Sequence, residues 1–245
     1  MENERHFCQQ LLTSMGVNPA LLDHTGVTVA ADPERAESKV TAGYELGQHF
    51  VITCDPAAED MLAEATIGME PTLDDFKATA ERAGGKFLGA GPMQLRDSPV
   101  SGRPDLPPGY QYQTLRKDDA DHLALISTLI DESSEDDLDE AELEMETLDE
   151  IIEVVLAASG QIAAFASCRP FTLAKDYGDI GVLTHHDHRR AQLGSAVVQS
   201  LCVRQQELGI MPLYRCDEEN VASMQLSARI GFRPVTRLLG YRFPV

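Results

Sequence analysis

"VLTHHDHRRAQLGSAVV", residues 182–198, decides the reading of this chain. It ends a strand-like run, "YGDIGVLT" (177–184), crosses a histidine-rich turn and two arginines, and enters an apolar helical pattern. In "AQLGSAVVQSLCVRQQELG" (191–209), Leu193, Val197 and Leu201 recur every four residues and Gly209 closes the run. That is the spacing of a helix with one apolar face, ended by glycine. A strand that turns into a helix aims free backbone N–H groups at one point, and the helix dipole adds partial positive charge there. Phosphates are the usual occupants of such a turn. Gly194 lets a ligand approach the backbone closely, and Arg189 and Arg190 bring full charge and bidentate donors. The pattern predicts a phosphate or pyrophosphate held at residues 189–196. Arginines that merely solvate a helix start are the plainer alternative. No G-x-x-x-x-G-K-[ST] occurs, which excludes a P-loop, and no G-x-G-x-x-G occurs, which argues against a Rossmann dinucleotide site.

Working outward, "YQYQTLRKDD" reads as a strand and "ADHLALISTLID" as a helix, followed by an acidic stretch. "VVLAASGQIAAFASCRPF" reads as a hairpin turning at Ser159–Gly160. After the central helix come a strand, "IMPLYRCD", a helix, "NVASMQLSARIG", capped by Asn220, and two closing strands, "FRPVTRL" and "GYRFPV". The order predicts a mixed sheet covered by helices. "SPVSGRPDLPPG" (98–109) is dense in Pro, Gly and Ser and is the expected linker. It separates residues 110–245 from a smaller amino-terminal α/β domain, 1–97. There "RHFCQQLLTSMG", "DPAAEDMLAEAT" and "TLDDFKATAERAGG" read as helices, and "GVTVAAD" and "GQHFVITCDP" as strands. That half shows no metal spacing, phosphate loop or nucleophile elbow.

The chain has 245 residues and a formal net charge of -20. Such a surface repels nucleic acid and anionic membranes, so neither is an expected partner; neutral or cationic small molecules are. The five cysteines include no CxxC pair and cannot all pair within one chain, which reads as a reduced, cytoplasmic protein. No apolar run approaches membrane-spanning length and no targeting segment is evident.

"VLTHHDHRRAQLGSAVV" followed by "NVASMQLSARIGF" (220–232) resembles the GNAT superfamily of acyl-CoA-dependent N-acyltransferases. "RRAQLG" occupies that family's [QR]-x-x-G-x-[GA] loop. Asn220, Ser223, Gly231 and Phe232 occupy a second cofactor signature. The resemblance covers roughly residues 110–245; the whole chain also resembles proteins in which a GNAT domain follows a variable amino-terminal one. It implies an α/β (α+β) fold with a mixed, mostly antiparallel central sheet flanked by helices. It also implies acetyl-CoA as co-substrate. Backbone N–H groups of Arg190, Gln192, Gly194 and Ser195, in a loop that includes Arg189 and Leu193, would then hold the pyrophosphate. The backbone of Val182 and Thr184 would pair with the pantetheine arm, and Val182 N–H would polarise the thioester carbonyl. Asn220 and Ser223 would bind the pantetheine end or order water around it; a plain N-cap accounts for Asn220 as well.

Two positions depart from the family's pattern. Gln192 stands where glycine is usual, and Ser227 stands where a tyrosine often protonates the leaving thiolate. Tyr214, on the next strand, is the substitute acid, or else an ordinary strand aromatic. Asp179 is the candidate base, or else a surface aspartate. It lies one residue past Gly178, where some relatives carry a basic glutamate, so the assignment needs a one-residue bulge.

"THHDH" (184–188) invites a metal reading, but a zinc site needs a third or fourth ligand and no second His/Cys cluster appears. No metal is expected. Residues 131–153 hold thirteen acidic residues and no Lys or Arg, interrupted by Leu138, Leu143, Met145, Leu148 and Ile151. Part of it is expected to pack as a helix. As a wall of the acceptor site it would favour a small cationic amine; as a solvated face it would do nothing of the kind.

Two functions therefore stand at this point. One is acetyl-CoA-dependent N-acetylation of an amine. The other is a non-catalytic GNAT-like domain that binds acyl-CoA or a protein partner, with the amino-terminal half as a possible degenerate second copy. The sequence leaves the oligomeric state open.

Overall fold

The computed structural model describes residues 2–96 and 98–243. The chain forms two compact units. The first comprises residues 1–95, 215–221 and 234–245, and the second residues 96–214 and 222–233. The last segment of the chain thus folds with the amino-terminal unit, which a single cut at 98–109 does not capture.

In the first unit the elements are α1 (Glu2–Ser14), β1 (Gly26–Ala31), α2 (Arg35–Ser38), β2 (Val40–Leu46), β3 (His49–Cys54), α3 (Glu59–Ala65), α4 (Leu73–Arg82) and β4 (Lys86–Arg96). Thr72 caps α4 by accepting from Asp75 N–H at 3.2 Å. Asp55 accepts from Ala57 N–H at the turn before α3. β2 and β3 pair as an antiparallel hairpin, and β1 joins β3 in parallel. Phe50, Ile52, Leu62, Leu73, Phe76, Leu239 and Tyr241 form the unit's core. Gly43 is where this core presses hardest on backbone. A Cβ there would fall 2.5 Å from ring carbons of Phe76 and 2.8 Å from Phe50. Gly43→Ala is expected to cost on the order of 1–3 kcal/mol by overpacking, read as a lower urea midpoint; an unchanged midpoint would show that the rings yield freely.

In the second unit the elements are β5 (Tyr110–Leu115), α5 (Ala120–Asp131), α6 (Glu135–Ala141), β6 (Ile151–Ala157), β7 (Ile162–Pro170), β8 (Tyr177–Thr184), α7 (Leu193–Glu207), β9 (Met211–Arg215), α8 (Val221–Arg229) and β10 (Phe232–Arg242). Only Phe232 and Arg233 of β10 belong to this unit, and the rest of the strand belongs to the first. Strand order in this unit is β9-β8-β7-β6-β5, antiparallel except for the β8–β9 pair. Helix α7 packs on β6, β7 and β8. The sheet's other face carries Leu115, Ile126, Leu129, Ala141, Leu143, Ile152, Val154 and Leu183, joined by Leu138, Met145 and Leu148 of the acidic stretch. The hydrophobic interruptions of that stretch are therefore its anchors.

The two closing strands of the sequence reading are one, β10. Leu238–Arg242 pairs without a break against Tyr44–Val40 of β2, and Gly240 is not in the left-handed region a tight turn would need. Residues 98–109 are also more than a tether. Val100 N–H donates to Gln206 Oε1 at 2.6 Å, Arg103 reaches Glu153 at 3.0 Å, and Tyr112 O–H donates to the Pro104 carbonyl at 2.8 Å.

Candidate functional site

Strands β8 and β9 set the geometry. They pair in parallel over Tyr177–Asp179 against Met211–Leu213, and among the described residues no further pair joins them. Beyond Asp179, Ile180–Thr184 are paired only to β7. The sheet therefore opens into a wedge whose vertex is the Asp179–Leu213 pair. Tyr214 is the first residue of β9 past that vertex, and Val182 and Thr184 line the opened edge of β8.

The chain leaves β8 through a short 3-10 turn at His186–His188 and enters α7 through a tight loop. Arg190 (φ 66) and Gln192 (φ 60) both adopt the left-handed conformation. For a non-glycine residue that costs on the order of 1 kcal/mol each, the kind of strain that collects at ligand-binding loops. Gln192 thus takes the backbone shape that a glycine would take there. No side chain caps α7. The Gln192 carbonyl accepts from Ala196 N–H at 3.1 Å, so the preceding N–H groups, including those of Leu193, Gly194 and Ser195, have no helical acceptor. Gly194 is packed from two sides: a Cβ would meet Thr184 Oγ1 at 2.9 Å and Leu226 Cδ1 of α8 at 3.1 Å. The end of β8, the start of α7 and the face of α8 converge there.

Arg189 is committed elsewhere. Its Nη2 donates to both carboxylate oxygens of Asp137 on α6 (2.7 and 2.8 Å), and its Nε donates to the Thr184 carbonyl at 3.3 Å. The acidic stretch therefore holds the first arginine of the loop. Arg190 is exposed. Tyr214 and Ser223 meet each other: their hydroxyls are 2.8 Å apart, and Tyr214 is fully buried against Phe232. Ser227 is buried and donates to the Met224 carbonyl. Asn220 lies in the 215–221 segment that folds with the first unit.

The one-residue bulge that would bring Asp179 into the place of Gly178 is absent, so Asp179 stays on the opposite face of the strand from Gly178. The β7–β8 register runs unbroken from Gly178 to Thr184. A Cβ at Gly178 would meet Cys168 Sγ and Gln205 on the α7 side, whereas one at Gly181 would strike the Ala141 carbonyl of α6. Alternation along the strand places Asp179 with Gly181, on the α6 face. Its direct cross-strand neighbour is Arg169, whose guanidinium contacts Asp149 Oδ1 (3.4 Å) and the Glu142 carboxylate and carbonyl. Ser167 O–H donates to Asp149 Oδ2 at 2.6 Å. Asp149, Asp179, Ser167 and Arg169 thus form a polar cluster beside the vertex. Sequence reasoning missed Asp149, Ser167 and Arg169, because only the β7 register and the fold of the acidic stretch bring them together.

Cys168, on the α7 side of the sheet, is the buried thiol near these carboxylates. Burial pushes the Cys168 thiol up to about 11, opposed by a hydrogen bond from Gln205 and reinforced by the charges of Asp149 and Asp179. Burial likewise raises Cys8 and Cys54 to about 11 and Cys202 to about 12. Burial therefore keeps each of them in the unreactive thiol form. A thiol reagent is expected to leave these four untouched in the native protein and to label them after denaturation; rapid native labelling of Cys168 would contradict their burial.

The chain has likenesses among known proteins, in a family model and in fold. Residues 148–241 match the family model for GNAT acetyltransferase. That match lies in the carboxy-terminal part of the chain, within the stretch whose sequence resembles the same family. An acetyltransferase of the GNAT family from Colwellia psychrerythraea is 14% identical, covering 95% of this chain and 96% of its own, with a TM-score of 0.55. A GCN5-related N-acetyltransferase from Sphaerobacter thermophilus is 16% identical over 71% of this chain and 56% of that one, at a TM-score of 0.52. A GNAT-family protein from Novosphingobium aromaticivorans is 18% identical over 66% of this chain and 69% of that one, at a TM-score of 0.50. At these identities the likeness is one of fold. Among curated proteins no match to this chain was found. No helix among the described residues is long and apolar enough to cross a membrane.

Proposed function

We propose that the GNAT domain binds acetyl-CoA in the β8–β9 wedge and transfers its acetyl group to a small cationic amine in the cytoplasm. The observation that carries this reading is the wedge itself, opening beside an uncapped helix start reached through two left-handed residues. The N–H groups of Arg190, Gln192, Leu193, Gly194 and Ser195 suit a pyrophosphate. The free edge of Ile180–Thr184 suits an extended pantetheine arm, with Val182 N–H polarising the thioester carbonyl. The amine nitrogen attacks the carbonyl carbon, the C–S bond breaks, and CoA leaves as thiolate. Asp179, at the vertex, would take the amine's proton directly or through water. Asp149, Asp179 and Glu142 make the acceptor side negative and favour a cationic amine over a neutral one.

The test is release of free CoA thiol from acetyl-CoA across a panel of polyamines, aminoglycosides and amino acids. Transfer to a cationic amine, lowered at least about a hundredfold in kcat by Asp179→Asn, supports the reading. Thiol release that ignores Asp179→Asn contradicts the base assignment.

One observation favours a second reading, a domain that binds acyl-CoA without transferring the group. The Ser227 hydroxyl donates to the Met224 carbonyl, and the Tyr214 hydroxyl is paired with Ser223, so an acid for the thiolate has to come out of an existing hydrogen bond. Binding of acetyl-CoA with no transfer to any amine would establish that role.

The Asp137–Arg189 pair competes with an incoming phosphate for the same guanidinium. Asp137→Asn is therefore expected to tighten acetyl-CoA binding, by up to about fivefold for a pair this exposed. Weaker binding in that variant would mean that Asp137 positions Arg189 instead.

A further inference from the structure

We propose that the turn at the end of β8 is a binding site for a divalent transition metal ion, formed by His185, His186 and Asp187 and oriented by Glu132. One ligand atom from each of the three consecutive residues lies within 4.8 Å of the others. His186 Nε2 and Asp187 Oδ1 are 3.5 Å apart. That is close to the ~3.4 Å edge of a coordination tetrahedron with bonds of ~2.1 Å. The 3-10 turn at His186–His188 gathers the three groups without help from distant sequence.

What separates this cluster from a chance surface grouping is the support behind His185. The His185 side chain is 2% exposed. Its Nε2 edge faces Glu132 Oε2 at 3.3 Å, and Gln161 Nε2 donates to the same carboxylate oxygen at 2.8 Å. His188 extends the brace: its Nε2 is 3.5 Å from Gln161 Oε1 and its Nδ1 is 3.1 Å from the Tyr110 hydroxyl. A carboxylate behind an imidazole fixes the ring's orientation and tautomer and raises its basicity, which is how metal-binding histidines are held. The other nitrogen, Nδ1, spends its one lone pair on a 3.3 Å bond from Asp187 N–H, and an incoming ion has to displace that bond. That bond keeps Nδ1 on the side of the turn where Asp187 lies. His186 and Asp187 are exposed, so an ion can enter from solvent and water can fill a fourth position. Two imidazoles and one carboxylate suit Zn(II), Ni(II) or Co(II) rather than Mg(II) or Ca(II). The third ligand missing from the sequence reading is Asp187, adjacent in the chain; Glu132, from the end of α5, supplies the orientation that sequence could not show.

The inference does not rest on acetyl transfer, and its test leaves that reading untouched. Untagged full-length protein, stripped of metal by a chelator, is titrated with Zn(II) by calorimetry and with Co(II) in the visible spectrum. His186→Ala and Asp187→Asn are titrated alongside, with His24→Ala as a control on a distant exposed histidine. One ion per chain is expected, with affinity reduced at least about tenfold in the first two variants and unchanged in the control. Intense Co(II) bands of a four-coordinate site should vanish with them. Absence of saturable binding by the wild type would overturn the proposal, and so would equal binding by all variants, which would place the ion on surface carboxylates. Folding of each variant is read from its circular dichroism, and both substituted residues are exposed. If either nevertheless misfolds, Glu132→Gln provides the same affinity comparison.

Discussion

Replacing Gly194 by glutamate is expected to weaken acetyl-CoA binding by about a hundredfold or more, equivalent to ~2.8 kcal/mol. The new Cβ would fall 2.9 Å from Thr184 Oγ1 and 3.1 Å from Leu226 Cδ1, where the end of β8, the start of α7 and α8 converge. Its carboxylate would accept from the N–H groups that are otherwise open for a pyrophosphate, and would repel the phosphates as well. The substitution need not unfold the domain, because a carboxylate at a helix N-terminus is itself favourable. Gly194→Ala separates the two effects: it carries the crowding without the charge and should lose far less affinity. Calorimetry with both variants, beside circular dichroism, makes the comparison. Equal affinity in wild type and Gly194→Glu would remove the phosphate from this loop.

Arg103→Ala is expected to cost about 3 kcal/mol of stability, although no part of the wedge is touched. Glu153 lies on β6 with no exposed surface. Its carboxylate accepts from Thr114 Oγ1 at 2.6 Å, from Ser200 Oγ of α7 at 2.7 Å and from Arg103 at 3.0 Å. Removing the guanidinium leaves a buried charge held by two hydroxyls alone. The cost of breaking such a pair comes mostly from the stranded partner. Adding Glu153→Gln to Arg103→Ala should therefore recover part of the loss, since an amide needs no counter-charge. Urea unfolding of the single and double variants reads both numbers. A loss within about 0.5 kcal/mol, the range of ordinary surface changes, would mean that Arg103 only rests on the surface.

The legible parts of this molecule are those in which local pattern and tertiary context agree. β8 and α5 occupy the stretches that their composition predicts, 177–184 and 120–131. The helix after the arginine turn begins at Leu193, two residues later than its hydrophobic pattern suggests, because Gln192 is left-handed. That conformation could not be read from glutamine, which disfavours it intrinsically. β4 escaped notice because "KFLGAGPMQLR" carries two glycines and a proline, which ordinarily mark turns. The strand needs a glycine at position 91, where a Cβ would strike the Cys216 carbonyl. Long-range pairings stayed hidden. Arg189 and Asp137 are 52 residues apart, and nothing local in either segment announces the other. The arginine turn was therefore visible as a candidate phosphate site, but the carboxylate already holding its first arginine was not. The wedge was equally out of reach, because it depends on where the β8–β9 pairing stops.

The most direct test of the central claim is a calorimetric titration of acetyl-CoA into the wild-type protein, with free acetate as the control. Saturable binding at one site per chain, in the micromolar range and absent for acetate, is the result predicted by a wedge that cradles pantetheine and a loop that holds pyrophosphate. No saturable binding would contradict it, leaving a GNAT-shaped domain whose open strand and uncapped helix serve another ligand.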